Sequence, residues 1–134
     1  MNKLLIFLIL ASIVIDAAAT NSSLNWKFQT GGRIYSSPVI DGDLVFFGSG
    51  DSCFYAVNRA TGKQSWCFRT KGAIHSSPEI YKNLVYFGSA DGNLYALNKT
   101  TGVLAWKYTS ESEKMLDIWD YYLSSPKIEN GTLY

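Results

Sequence analysis

Apolar and polar positions between Arg33 and Thr70 fall into short runs divided by turn-forming residues. Arg33–Ile40 leads into the turn Asp41-Gly42-Asp43. Leu44–Ser49 is apolar and aromatic and closes at Gly48 to Asp51, Phe54–Asn58 leads into Arg59–Gly62, and Gln64–Thr70 follows. Short runs broken by Gly, Asp, Asn and Thr are hairpin chemistry, so the pattern predicts four antiparallel strands. The same pattern then returns. Gly31–Thr70 and Lys71–Ser110 align without a gap and are identical at 18 of 40 positions, which marks a repeat architecture. "NWKFQT" (Asn25–Thr30) repeats the end of the unit, and "LSSPKIENGTLY" (Leu123–Tyr134) begins another copy. After residue 19, helical periodicity has one candidate stretch, Ser110–Tyr122.

Four strands in a unit of this length is the pattern of a β-propeller blade. The fold class expected is therefore all-β, an incomplete propeller. One four-stranded sheet cannot bury both faces alone, so each blade must offer the same groups to its neighbours. Ala56 and Ala96 are small enough for sheets to approach. Gly62 and Gly102 supply a turn conformation that a Cβ resists. Trp66 and Trp106 add a broad apolar plate, worth roughly 3 kcal/mol per blade by area.

The phrase Ala-x-Asn-x-x-Thr-Gly-x-x-x-Trp, read at Ala56–Trp66 and Ala96–Trp106, resembles the tryptophan-docking motif of pyrroloquinoline-quinone (PQQ)-type propeller repeats. That family carries Asp more often where this chain has Asn58 and Asn98. The resemblance implies that Trp26, Trp66 and Trp106 each stack on a neighbouring blade near its glycine. It covers nearly all the sequence after residue 19 and is silent on activity.

The organisation expected is a signal peptide at 1–19 followed by a partial propeller at 20–134. Lys3, a largely apolar run from Leu4 to Ile15 and Ala17-Ala18-Ala19 form the three regions of a secretory signal. The competing reading, a membrane anchor, meets a run that Asp16 ends short of a comfortable span. The mature chain is expected to be exported, periplasmic or secreted, with no membrane span after cleavage. Within it come a closing strand at 25–30, blades at 31–70 and 71–110, an insertion at 111–122 and a partial blade at 123–134. Propellers need at least about four blades, so this is read as the amino-terminal part of a longer protein.

Charge narrows the partners. Lys plus Arg is 12 and Asp plus Glu is 11, so nothing in the balance points to nucleic acid. Quinoprotein dehydrogenases resembling this family hold PQQ and calcium on the propeller axis and carry an adjacent Cys pair. The only cysteines here are Cys53 and Cys67, and no calcium-loop spacing occurs. No cofactor is expected in this segment; PQQ and calcium enter only if the full protein is such an enzyme. Cys53 and Cys67 lie seven residues either side of Ala60, which can set them opposite each other on an exposed face as a cross-strand disulfide. His75 precedes Ser76-Ser77-Pro78, but adjacent strand residues point to opposite faces, which argues against a Ser/His pair. Asp41 and Asp43 read as a solvated hairpin. Asn21, Asn98 and Asn130 begin Asn-x-Ser/Thr triplets, candidate glycan sites in a secreted eukaryotic protein.

One irregularity stands out against the repeat. Pro38 to Pro78 is 40 residues, but Pro78 to Pro126 is 48. The extra residues fall in Glu111–Tyr122. Insertions in repeat proteins collect in loops on one face, often the binding face. Asp117, Trp119, Tyr121 and Tyr122 are therefore the candidate partner-binding residues, with packing of Met115, Leu116 and Ile118 on their own blade as the alternative. The leading functional expectation is an exported, non-catalytic propeller that binds proteins. The alternatives are a fragment of a PQQ-dependent alcohol or sugar dehydrogenase and an extracellular sensor domain. No catalytic constellation is visible. Among non-enzymatic relatives by resemblance is an outer-membrane assembly lipoprotein, from which this chain departs in lacking a lipobox cysteine.

Overall fold

The computed structural model describes residues 24–109 and 124–134. Expectations for the signal region, Asn21 and the 111–122 insertion lie outside those residues. Ten strands are described: β1 (Val39–Asp41), β2 (Leu44–Gly48), β3 (Cys53–Asn58), β4 (Gln64–Arg69), β5 (Glu79–Tyr81), β6 (Leu84–Ser89), β7 (Asn93–Asn98), β8 (Leu104–Thr109), β9 (Ile128–Glu129) and β10 (Thr132–Leu133). They form two four-stranded antiparallel meanders, β1-β2-β3-β4 and β5-β6-β7-β8, and the hairpin β9–β10. The all-β propeller-blade fold expected from the repeat is the fold observed.

The registers repeat as the sequence does. Phe46 faces Ala56 and Ala56 faces Trp66; Tyr86 faces Ala96 and Ala96 faces Trp106. The β3–β4 and β7–β8 pairs both slip at one place, after Ala56 and after Ala96. Each hairpin turn is built by its asparagine. Asn58 Oδ1 accepts from the N–H groups of Ala60 and Thr61 and from the Thr61 hydroxyl; Asn98 Oδ1 accepts from the N–H groups of Thr100 and Thr101. The side chain acts only as an acceptor in these bonds, which Asp does equally well. The departure from the family's usual Asp thus leaves the turn intact.

Alternation along the strands gives each sheet two apolar faces, and the core lies between the sheets. Phe46, Phe54 and Ala56 of the first sheet meet Val85, Phe87, Tyr95 and Leu97 of the second, with Ile74 from the connection between them. Phe54 and Phe87 stack with centroids 3.9 Å apart and planes 4° apart. The other face of the first sheet carries Phe47, Cys53, Tyr55 and Val57, packed by Trp26 and Phe28. An ion pair between Lys99 and Asp41 joins the sheets at their edge.

One expectation changes. The sequence pattern starts the first strand at Arg33, but only Val39–Asp41 pairs. Pro38 has no N–H to offer, and the buried Ser36 replaces the ladder. Its Oγ accepts from Gly48 N–H at 2.9 Å and donates to Gly48 C=O at 3.0 Å, occupying both groups that a neighbouring strand would take. Trp26 and Phe28, from the segment read as the closing strand, pack across the face of the first sheet.

Candidate functional site

The contact between the sheets is made of the motif residues. Gly62 and Gly102 sit at φ +69° and +71°, closing the turns after Asn58 and Asn98. The Trp26 ring lies against Gly62 and the Trp66 ring against Gly102, so close that a Cβ on either glycine would reach ring carbon at 2.6 Å. The indole N–H groups are also satisfied across the gap. Trp26 donates to Arg59 C=O at 2.7 Å and Trp66 to Lys99 C=O at 3.2 Å. On its inner side Trp66 packs on Phe46 and Phe54. Ala56 and Ala96 are fully buried. Trp106 packs on Tyr86 but stays 39% exposed, beside the exposed Leu104 and Tyr108.

At the opposite end of the strands a second repeated device holds the turns. Asp51 accepts from Gly31 N–H, Cys53 N–H and the Tyr55 hydroxyl. Asp91 accepts from Lys71 N–H, Asn93 N–H and the Tyr95 hydroxyl. Burial raises each carboxyl, but these donors outweigh it and hold both below the ordinary Asp value. Burial and the Asp91 carboxylate push the Tyr95 hydroxyl up to about 12, and burial, the Asp51 carboxylate and the Cys53 thiol raise Tyr55. The serines of the repeated Ser-Ser-Pro form a third device. Ser37 N–H donates to Ser77 Oγ, and Ser77 N–H donates to Ser125 Oγ, each at 2.9 Å, which links three successive units. These aspartates, tyrosines and serines are among the identical positions of the repeat, but a sequence shows no partners for them. Their recurrence at one interval was the available signal.

These devices define one face of the assembly, the face of the Gly48–Asp51 and Gly88–Asp91 turns. The described residues on either side of the 111–122 segment, Thr109 and Ser124, lie there. Thr109 ends β8 opposite Asn93 and donates to its Oδ1 at 2.6 Å. On the far side, a Cβ on Gly88 would lie 3.9 Å from Ser124 C=O. Asp117, Trp119, Tyr121 and Tyr122 lie outside the described residues. On the same face Tyr35 is 55% exposed and makes an edge contact with His75 at 4.9 Å, while Arg33 reaches the Tyr35 hydroxyl. His75 has no part in a Ser/His pair with Ser76, because the Ser76 hydroxyl is bound to both backbone groups of Gly88. Of the candidate glycan sites, Asn98 spends its Oδ1 on the turn, and Asn130 is exposed at φ +51° in the β9–β10 hairpin.

The expected cysteine geometry is corrected. Cys53 faces Arg69 and Cys67 faces Tyr55, so the two are diagonal rather than opposite. The turn pairs Asn58 with Lys63 and Val57 with Gln64, already one residue off the symmetry about Ala60, and the slip after Ala56 adds a second. The face is not uniformly exposed either: Cys53 is buried and Cys67 exposed, both as free thiols.

The comparisons with known proteins agree with this geometry. The family model described as outer membrane protein assembly factor BamB matches residues 11–130. The chain belongs to that PQQ-type propeller-repeat family. Among solved structures, BamB from Moraxella catarrhalis is 21% identical with a TM-score of 0.68, covering 82% of this chain and 32% of its own. Quinohemoprotein alcohol dehydrogenase ADHIIG from Pseudomonas putida HK5 is 20% identical with a TM-score of 0.64, covering 81% of this chain and 17% of its own. The corresponding enzyme from Comamonas testosteroni is 19% identical with a TM-score of 0.62, covering 76% and 17%. No curated protein matches the sequence. The chain thus spans about a third of the BamB structure and about a sixth of the dehydrogenases, and at these identities the likeness is one of fold.

The solved structures that match in fold include quinohemoprotein dehydrogenases, so the described residues can be examined as ligands for a calcium–PQQ site. Among the described residues no three His, Cys, Asp or Glu side chains gather as metal ligands. Asp51 and Asp91 have both carboxylate oxygens engaged by internal donors. Among the described residues no helix is long and apolar enough to cross a membrane.

Proposed function

We propose that this chain belongs to an exported, non-catalytic interaction scaffold in which residues 111–122 form the partner-contacting loop. The observation that carries the reading is the rooting of that insertion. The described residues that flank it, Thr109 and Ser124, both sit at the Gly88–Asn93 turn. Trp119, Tyr121 and Tyr122 are rigid aromatic anchors, and Asp117 and Asp120 give an acidic rim, the composition of an interface centre and its edge. The turn-face aspartates are already committed to backbone and tyrosine donors, which supports a structural use of this face over acid–base work. The family description, an outer-membrane assembly factor, supports both the export and the scaffold role.

The test places a photo-reactive residue at Trp119 or Tyr121 in the complete protein in its own cells. A control position is the exposed Lys63, on the turn at the other end of the strands. The expected result is one recurrent protein adduct from the loop positions and none from Lys63. Two results overturn the reading: no adduct from either loop position, or dye-coupled alcohol oxidation by the purified protein supplied with PQQ and calcium.

A further inference from the structure

The first sheet differs from the second at one chemically reactive place. Thr70 N–H donates to Ser52 C=O, so the flanking pairs Cys53/Arg69 and Tyr55/Cys67 are non-hydrogen-bonded ones. At such pairs the backbones approach most closely, about 4.5 Å between Cα atoms. Diagonal neighbours on that face come within reach of each other in a twisted ladder. Cys53 and Cys67 are such a diagonal pair. Cys53 is 1% exposed, inside the cluster that Trp26 and Phe28 cover, whereas Cys67 is open to solvent. The repeat does not require sulfur at these places. In the second sheet they hold Asn93, which accepts the Thr109 hydroxyl, and Lys107.

We propose that Cys53 and Cys67 are a dithiol that closes to a cross-strand disulfide by exchange with a small disulfide donor such as oxidised glutathione. Cys67 is the entry point, because its side of the pair faces solvent. Its thiolate attacks one sulfur of the donor, the donor's S–S bond breaks, and one donor thiolate leaves. Cys53 then loses its proton to solvent and attacks Cys67 Sγ, expelling the second donor thiolate. Two protein thiols are oxidised to one disulfide while the donor disulfide is reduced to two thiols. The new bond ties β3 to β4 directly beneath the Trp26–Thr30 segment. Burial, with the neighbouring Cys53 thiol, pushes Cys67 up to about 12, against the opposing pull of Arg69. The first step is therefore slow at neutral pH and speeds up as pH rises, since only the thiolate attacks.

The experiment incubates the full reduced chain in mixtures of oxidised and reduced glutathione, quenches with acid, alkylates remaining thiols and maps peptides by mass spectrometry. The expected result is that both thiols disappear together, leaving a linked Cys53–Cys67 peptide in monomeric protein. Cys53→Ala should stop the reaction halfway, with glutathione retained on Cys67. Cys67→Ala should leave Cys53 unmodified, because it is buried. The proposal fails if the unsubstituted chain accumulates glutathione on Cys67 with Cys53 free. It fails equally if both thiols stay free in the folded chain while the same mixture oxidises them in denaturant.

Discussion

The indole of Trp66 lies over Gly102, and a methyl group built on that glycine would meet Trp66 Cδ2 at 2.6 Å. One residue is flat and the other has no side chain, so the two sheets close on each other without a gap. The same relationship joins Trp26 to Gly62. The positive φ of Gly102 lets one residue both turn the chain and clear the space for the ring.

This pair predicts a non-additive double-mutant cycle. Trp66→Ala should cost about 3 kcal/mol, as for deletion of a large ring from a packed site. Gly102→Ala should cost about 1–3 kcal/mol from its backbone conformation alone, with displacement of the ring on top. The double variant should lose less than the sum, because without the indole the new methyl has room. Urea denaturation of the four proteins measures this, and strict additivity would show that the two residues do not share a contact.

Ser76 predicts a disproportionate cost for one oxygen atom. Its buried hydroxyl accepts from Gly88 N–H at 2.7 Å and donates to Gly88 C=O at 3.1 Å. Ser76→Ala leaves both groups unpaired, and a loss of about 1–3 kcal/mol is expected. Ser76→Thr keeps the hydroxyl and separates that loss from simple crowding. Thermal unfolding of both variants is the measurement.

Asp51 and Asp91 predict the acid limb of stability. Both carboxyls lie below their ordinary value in the folded chain. A depressed folded pKa stabilises above the unfolded value, about 3.9, and that contribution is lost as pH falls through the folded one. Stability should therefore hold from neutral pH down to about 4 and fall below it. Asp91→Asn should flatten that fall and lower stability at pH 7. Denaturant midpoints across pH 2–7 check both halves.

The hairpin asparagines predict a tolerant substitution. Asn58 Oδ1 is the acceptor for the Ala60 and Thr61 N–H groups. Asn58→Asp keeps that acceptor and should leave stability within about 0.5 kcal/mol, whereas Asn58→Ala should cost about 1 kcal/mol. Chemical denaturation distinguishes them. A large loss for the Asp variant would mean that the side-chain amide donates a bond that matters.

The sequence by itself determined the strands, the turns and their recurrence, because each depends on residues close together in the chain. The apolar and aromatic run Leu44–Ser49, the turn Arg59–Gly62 and the return of Ala56, Gly62 and Trp66 forty residues on as Ala96, Gly102 and Trp106 are patterns read along the chain. The tertiary structure alone decided what depends on distant partners. Ser36 takes Gly48's backbone groups and so cuts the first strand to Val39–Asp41. Trp66 finds its carbonyl partner at Lys99, 33 residues on. Trp26 finds its carbonyl partner at Arg59, also 33 residues on. The turn pairs Asn58 with Lys63 rather than centring on Ala60, and the one-residue slip after Ala56 adds to that offset, so the cysteines are diagonal rather than opposite. Strand order along a meander follows from turn chemistry, but register at a bulge and the packing of one sheet on another are settled by which side chains fill the space between them.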